Sequence, residues 1–190
     1  MNKFNPSQRT FTRYAYTVND PQSLSNNQIR GISADDEGFL WISTYEGGLN
    51  RLDPQTETFI NFKNDHNNTS SLSTNRIFSV YQSSDSTLWV SSYGGGLNKY
   101  SPLTNLFNHF LINDDNRSYR VESFTETSNG TIWLSSEEQG LFTTASSQKP
   151  KNFIFDFNLE SNIRWLNSNS NNKLWLRSAD NKVITFNVNT

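Results

Sequence analysis

Short apolar segments alternate with polar turns along this chain, and their arrangement repeats four times. The first copy opens at Ile29 with alternating apolar and polar positions, turns at Gly38, and continues through an apolar segment centred on Trp41 to Gly47 and Gly48. In every copy an aliphatic residue stands 12 positions before a tryptophan. These pairs are Ile29 and Trp41, Ile77 and Trp89, Val121 and Trp133, and Ile163 and Trp175. A strand-rich repeat of about 40 to 50 residues predicts a β-propeller or a related array.

Each copy predicts a four-stranded antiparallel sheet, the blade of a propeller. The first strand alternates apolar and polar residues, and the second is apolar on both faces, as in a sheet covered on both sides. The turn between them needs a residue with positive φ at its last position. That position holds Gly38, Ser86, Gly130 and Asn172. The third strands are expected to start at Gly48, Gly96, Gly140 and Lys182, and the fourth to contain Phe11 and Tyr14, Phe59 and Phe62, Phe107 and Phe110, and Phe153–Phe157.

The predicted fold is therefore all-β, a propeller of about four blades or a partial propeller, in one domain over residues 1–190. The repeats are assigned to 1–27 (partial), 28–74, 75–118, 119–161 and 162–190 (partial). Met1–Pro6 lines up with Leu49–Pro54 and Leu97–Pro102, so the chain opens in the middle of a repeat. We expect a fragment of a longer array, or a gene model that starts too late.

Two arrangements of the blades are compatible with this pattern. In the first, a strand over Thr10–Tyr16 completes the fourth sheet and closes a four-bladed ring, which removes an exposed sheet edge. In the second, the chain forms an open arc that pairs with a second copy, as a homodimer, or with other blades of a longer protein.

The composition agrees with many short strands and excludes several classes of function. The 190 residues are 14% aromatic and include no cysteine, so there is neither a disulfide framework nor a cysteine-based metal site. The net charge of −2, with acids and bases mixed, predicts no nucleic-acid partner. No apolar run approaches the roughly 20 residues of a membrane span. The N-terminus lacks the apolar segment of a signal peptide.

The recurring tryptophans are interpreted as structural core. A large ring that returns at one register between aliphatic residues is expected to be buried between sheets. Trp41, Trp89, Trp133 and Trp175 are therefore assigned to the core. A platform for stacking sugars is the less favoured interpretation of these rings.

A family resemblance follows from the segments around the first two tryptophans. Asp35–Pro54, DDEGFLWISTYEGGLNRLDP, and its counterpart SSDSTLWVSSYGGGLNKYSP resemble the two-component regulator propeller repeats. The linkers YTVNDPQSLSNNQI and NDHNNTSSLSTNRI are similar to the joints between repeats of that family. The resemblance implies a ligand-sensing, non-catalytic propeller in the periplasmic part of a bacterial membrane receptor, a hybrid histidine kinase or a diguanylate cyclase. It also implies that the signal segment, membrane segments and output domain lie outside this chain, and that the ligand is often an oligosaccharide.

One set of residues predicts a ligand site. An arginine lies next to the first aliphatic residue of every copy, and the first strand of a propeller blade is the innermost. We expect these arginines to meet near the axis, where guanidinium groups suit a carboxylate, sulfate or phosphate. Aromatic and acidic residues of the loop after the tryptophan strand are expected on the same rim. The predicted ligand-binding residues are Arg30, Arg76, Arg120, Arg164, Tyr45, Glu46, Tyr93, Glu137 and Glu138. The alternative is that each arginine pairs with a neighbouring acid or carbonyl group.

Two other functions are weighed against ligand sensing. The first is a protein-interaction scaffold of the same fold. The second is a glycosidase, because the segment from Asp36 to Trp41 resembles the Asp-box of sialidases; such an enzyme needs two positioned carboxyl groups. The candidate carboxyl groups lie in polar turns, and neither histidine has a partner at a metal-binding spacing. We therefore predict no catalytic residue, no metal and no cofactor.

Overall fold

The computed structural model describes residues 1–110, 120–136, 140–145, 163–169 and 173–188, and the regular elements in these ranges are all strands. The strands are β1 (Asn2–Asn5), β2 (Thr10–Arg13), β3 (Ile29–Ala34), β4 (Leu40–Thr44), β5 (Gly48–Asp53), β6 (Thr58–Phe62), β7 (Ile77–Gln82), β8 (Leu88–Ser92), β9 (Leu97–Ser101), β10 (Leu106–Phe110), β11 (Val121–Glu126), β12 (Thr131–Ser136), β13 (Gly140–Ala145), β14 (Ile163–Ser168), β15 (Lys173–Ser178) and β16 (Val183–Asn187).

The described strands form antiparallel sheets that follow the sequence repeats. Blade 1 contains β3 to β6 and blade 2 contains β7 to β10, each paired in chain order. Blades 3 and 4 contain β11 to β13 and β14 to β16, and β1 pairs with β2 as a separate hairpin. The predicted all-β propeller architecture is confirmed. The strand predicted over Phe153–Phe157 lies outside the described residues.

The N-terminal hairpin packs against blade 1. Tyr14, at its end, is buried with Leu24, Leu52 and Phe59 of the next repeat. Its backbone N–H donates to the carbonyl of Met1 over 2.9 Å. The hairpin thus takes the place of the two outer strands of a blade, as the alignment of Met1–Pro6 predicts. It forms a sheet of its own and does not pair with β16, so the closed ring completed by this strand is wrong.

The turn positions predicted to need positive φ have it. Gly38, Ser86 and Gly130 have φ values of 90°, 62° and 78°. Ser86 adopts this conformation without being glycine, and its N–H closes the turn by donating to the Ser83 carbonyl over 2.8 Å. Asn172, the fourth such position, lies outside the described residues.

Three of the four tryptophans fill the space between consecutive blades. Trp41 is buried with residues of blade 2, Trp89 with residues of blade 3, and Trp133 with residues of blade 4. Each indole therefore packs against the blade that follows its own. Burial of such a ring is the largest single apolar contribution that a repeat of this size makes.

Trp175 is different, and its assignment to the buried core is wrong. Its side chain is 41% exposed, against 0% for Trp89. It belongs to blade 4, and no further blade follows among the described residues to cover it. On the first blade, Ile32 is 50% exposed. Its counterpart on the second blade, Val80, is only 8% exposed because it packs against Trp41 of the first blade.

Hydrogen bonds between neighbouring blades accompany this packing. The Ser43 hydroxyl donates to the Phe78 carbonyl over 3.2 Å, and the Tyr81 hydroxyl donates to the Glu126 carboxylate over 3.0 Å. Burial and the Glu126 carboxylate together raise the pKa of Tyr81. These two side chains are therefore paired with specific partners on the next blade, which helps to fix how one blade sits on the next.

The indole N–H groups of the three buried tryptophans differ in whether they have a hydrogen-bond acceptor. That of Trp41 donates to Asp35 over 2.7 Å, and the other oxygen of Asp35 accepts the backbone N–H of Phe39 over 2.8 Å. The indole N–H groups of Trp89 and Trp133 are buried with no partner among the described residues. In blades 2 and 3 the position equivalent to Asp35 holds Ser83 and Thr127. Asp35, rather than Asp36, therefore holds the turn and its tryptophan in the segment that resembles an Asp-box.

Replacing Trp89 by alanine is expected to lower the free energy of unfolding by about 3–5 kcal/mol, because the indole lies between two blades. Trp175→Ala is the matched control and should cost no more than about half as much, since that ring is already partly in water. Urea denaturation followed by circular dichroism measures both. Equal costs for the two variants would contradict the inter-blade role of Trp89.

Replacing Asp35 by alanine is expected to lower the free energy of unfolding by about 1–3 kcal/mol, because it leaves the Trp41 indole N–H buried without an acceptor. Asp36→Ala, in the same turn but exposed, should change it by about 0.5 kcal/mol or less. Thermal denaturation of the two variants compares them directly. If Asp36→Ala were the more costly change, the assignment of Asp35 as the indole partner would fail.

Candidate functional site

The first strand of every blade has an irregularity at the residue that follows its first aliphatic side chain. The pairing of β3 with β4 shifts register between Ile29 and Gly31, and the other three blades shift at the same place. The residues at these bulges are Arg30, Phe78, Glu122 and Arg164. A bulge bends its strand and redirects the side chain beside it. These four positions therefore point their side chains differently from a regular strand.

In blades 1 and 2, a backbone hydrogen bond ties the loop after the tryptophan strand to the residue just before the first strand of the same blade. The backbone N–H of Tyr45 donates to the Gln28 carbonyl, and that of Tyr93 donates to the Arg76 carbonyl, each over 2.9 Å. Each tyrosine is thereby held beside the residues that open the innermost strand of its own blade. Both predicted groups, the arginines and the loop aromatics, meet on one rim.

Three arginines and three aromatic rings of blades 1 to 3 alternate in a closed circuit, called here the rim cluster. The guanidinium of Arg30 lies 5.0 Å from the Tyr45 ring and 6.0 Å from the Phe78 ring. That of Arg76 lies 5.7 Å from Tyr45 and 5.9 Å from Tyr93. That of Arg120 lies 5.0 Å from Phe78 and 4.8 Å from Tyr93.

These contacts are within the range of cation–π attraction, worth about 0.5–1 kcal/mol each at exposed sites. Every guanidinium in the rim cluster touches two rings, and every ring touches two guanidinium groups. The rings therefore hold three like charges close together at the end of the innermost strands.

Two carboxylates partly neutralise the rim cluster. Glu46 pairs with Arg76 over 3.3 Å, and both side chains are about half exposed, at 55% and 46%. Glu122 pairs with Arg120 over 2.9 Å, and its side chain is only 8% exposed. Among the described residues no carboxylate pairs with Arg30. Counting these groups, the rim cluster has one positive charge in excess, which is the electrostatic requirement for attracting an anion.

The structure brings together most of the predicted ligand-binding residues. Arg30, Arg76, Arg120, Tyr45, Tyr93 and Glu46 all belong to the rim cluster or pair with it. Arg164 is exposed on blade 4 and is not one of the three arginines of the rim cluster. Glu137 and Glu138 lie outside the described residues.

Sequence reasoning missed two members of this arrangement, Phe78 and Glu122. Both occupy the bulge position that Arg30 holds in the first blade. An alignment of the four copies at this one position would have pointed to them, since it holds Arg30, Phe78, Glu122 and Arg164. Alternation along a regular strand places Phe78 on the face of Arg76 and Glu122 on the face of Arg120, but the prediction selected only the arginines there.

A polar cavity of about 450 Å³ adjoins the rim cluster at Gly94 and Gly95, next to Tyr93. Both histidines of the chain line it together with Asp65. His109 bonds to the Ser71 carbonyl over 2.7 Å, as its counterpart Asn61 bonds to the equivalent linker through Ser23 over 3.1 Å. The histidine therefore has a structural role, and within the described ranges no group of three acidic or histidine side chains could hold a metal ion.

Among the described residues, the carboxyl groups considered for a glycosidase are Asp35, Asp36 and Glu46. Asp35 and Asp36 line one cavity of about 290 Å³, and Glu46 is not part of its lining. Asp35 holds the Trp41 indole, and Asp36 accepts the Ser86 hydroxyl over 2.6 Å, both in the turn at the opposite end of the blade from Glu46. Glu46 is paired with Arg76. The described carboxylates thus have structural partners instead of facing each other across a cleft.

Two segments of the sequence, residues 23–46 and 71–94, match the family model of the two component regulator propeller. They contain the first strands, tryptophans and loop tyrosines of blades 1 and 2. Among curated proteins, none matches the chain. Within the described ranges, no helix has the length and apolar character needed to cross a membrane.

Solved structures of extracellular domains share this fold. One is described as belonging to the hybrid two component system BT3049 of B. thetaiotaomicron. It is 25% identical to this chain and has a TM-score of 0.78. The match covers 98% of this chain and 24% of that domain. The chain thus spans about a quarter of that domain. The extracellular domain of the one component system BT4673 of the same bacterium is 18% identical with a TM-score of 0.69, at coverages of 98% and 33%.

An enzyme, virginiamycin B lyase from Staphylococcus aureus, shares the fold at 15% identity and a TM-score of 0.59, over 91% of this chain and 58% of its own. At that identity only the propeller fold is common to the two proteins. The repeat match and the extracellular domains agree with each other and with the blade structure. The chain therefore has a β-propeller fold, two of its repeats match the two component regulator propeller model, and the same fold occurs in extracellular domains of bacterial two-component systems.

Proposed function

We propose that this chain is a ligand-sensing, non-catalytic part of the periplasmic region of a bacterial signalling receptor. The observation that supports this role is the rim cluster, in which three consecutive blades each contribute an arginine. A ligand bound there touches several blades at once, so its binding changes how the blades are held relative to one another. Such a change is what a sensor must pass to an output domain, here a kinase or cyclase outside this chain.

The chemistry of the rim cluster favours an anionic ligand, an acidic oligosaccharide or another small acid. Guanidinium groups donate paired hydrogen bonds to carboxylate, sulfate or phosphate. Arg30 has no carboxylate partner among the described residues, so its N–H groups can donate to a ligand that also reaches Arg76 across the Tyr45 ring. Tyr93 is 42% exposed and presents part of its ring to solvent, where it suits the apolar face of a sugar.

Replacing Arg30 and Arg76 together by alanine is expected to weaken binding of an acidic saccharide at least about tenfold, since a hydrogen bond to a charged group is worth about 1.5–3 kcal/mol. Titration calorimetry with a panel of uronic-acid and sulfated saccharides measures the change. Arg51→Ala is the matched control, because Arg51 stacks on Phe39 at 4.4 Å, outside the rim cluster.

Binding that survives in the double variant at full strength, with the fold intact by circular dichroism, would refute the rim cluster as the ligand site. Binding that is lost equally in Arg51→Ala would show that the effect comes from stability. A panel in which no member binds the wild-type chain would count against the sensing role itself.

A second candidate function, a protein-interaction scaffold, is favoured by the outer face of blade 4. Trp165, Trp175 and Val183 are 44%, 41% and 66% exposed. Trp165 and Val183 both pair with Arg177, and Trp175 shares their face because it lies two residues away. Aromatic residues and arginine are the types enriched in protein interfaces. On this hypothesis the face contacts a second copy of the chain or further blades of the receptor.

Light scattering after size exclusion is expected to give the mass of a dimer if this face binds a second copy. Trp175→Arg should then return the chain to a monomer, because a charge replaces the central ring of the contact. Ile60→Arg, which places the same charge at another side chain that is 50% exposed, is the control. A wild-type chain that stays monomeric at high concentration would reject self-association through this face.

A further inference from the structure

Glu46 sits in a backbone conformation that its side chain disfavours. Its φ is +65°, in the left-handed region. The counterpart in the second blade is Gly94, with φ +72°. Residues with a Cβ atom lose free energy in this region, whereas glycine does not. A glutamate at this position therefore needs a compensating interaction, and its ion pair with Arg76 supplies one.

The two carboxylates of the rim cluster differ in how easily they can leave. Glu122 is nearly buried and lies 2.9 Å from Arg120, so displacing it would break an ion pair that water screens only weakly. Glu46 and Arg76 are both about half exposed, and their 3.3 Å pair is one that water and salt can replace. Glu46 is therefore the exchangeable anion of the site.

We propose that Glu46 is an internal competitor that occupies the place of a carboxylate belonging to the ligand. This inference rests on the proposed function of the rim cluster and names the ligand class more narrowly, as a molecule with a carboxylate group. On binding, the ligand carboxylate replaces that of Glu46 at Arg76. It also reaches Arg30, since Arg30 and Arg76 both lie against the Tyr45 ring.

The two arginines make a carboxylate the matching group. Arg30 has no acidic partner among the described residues, and Arg76 loses its own when Glu46 moves away. A carboxylate has two oxygens in one plane, and each can accept from one guanidinium group. In the complex the ligand carboxylate takes over the pairing with Arg76, so this guanidinium group keeps an anionic partner.

The test measures binding of sodium galacturonate to the full chain by NMR titration of the arginine Nε–H signals. Glu46→Gln removes the competing charge and keeps the backbone, and we expect the Kd to fall about two- to fivefold, the factor that corresponds to an exposed ion pair. Galactose, which lacks the carboxylate, should leave these signals unchanged. Sodium methanesulfonate, a tetrahedral anion with the same single charge as galacturonate, should gain less from the substitution than galacturonate does.

Glu57→Gln is the matched control. Glu57 is also a glutamate with positive φ, at +58°, and also forms an exposed ion pair, with Lys3 over 3.2 Å. It lies at the opposite end of β5, so the same loss of charge there should leave the Kd for galacturonate unchanged. An equal gain in both variants would mean that net charge alone sets the affinity, and would overturn the proposal.

A second variant tests the backbone side of the inference. Glu46→Gly removes the carboxylate and the unfavourable conformation together, as in the second blade. It should bind galacturonate at least as tightly as Glu46→Gln does and melt about 2–4 °C higher than the wild type. It also provides the binding test if Glu46→Gln does not fold.

The outcomes separate the two hypotheses. If the wild type binds galacturonate through Arg30 and Arg76 but Glu46→Gln and Glu46→Gly bind no better, the competitor role is wrong and the proposed site stands. If methanesulfonate gains as much as galacturonate, the assignment of a carboxylate ligand is wrong. If galacturonate binds neither the wild type nor the variants, both this inference and the anion site are rejected.

Discussion

Burial of a tryptophan between consecutive blades is the interaction on which the rest of this structure depends. Trp41, Trp89 and Trp133 each pack against the inner strands of the following blade. This contact fixes the distance and orientation of neighbouring innermost strands. The rim cluster exists because of that spacing, since Arg30, Phe78 and Arg120 belong to three different blades and meet only when the blades are correctly stacked.

The same contact explains why the ends of the chain differ from its middle. Ile32 on the first blade and Trp175 on the last occupy the two kinds of position that form an inter-blade contact elsewhere, and both are about half exposed. In the middle of the chain the equivalent residues are buried against each other. The site lies on blades 1 to 3, which are joined to one another by two packed interfaces, around Trp41 and around Trp89.

The structure relates stability and recognition through small departures from the repeat. Asp35 supplies an acceptor for one indole, whereas Ser83 and Thr127 leave the next two without one. Glu46 replaces a glycine at a left-handed position and adds a carboxylate to a rim of arginines. Each departure changes one blade only, so the common packing is kept while a single position acquires a different chemistry.

The sequence by itself determined the strands, the turns with positive φ, the inter-blade tryptophans of the first three blades and the rim on which arginines and tyrosines meet. It could do so because these features repeat, and a local pattern of apolar residues and turn residues specifies each copy. Only the tertiary structure decided that Trp175 is exposed, that the N-terminal strand does not close a ring, and that Phe78 lies between arginines of the two neighbouring blades. Those outcomes depend on which blade lies beside which, and the local pattern of a single repeat does not contain that information.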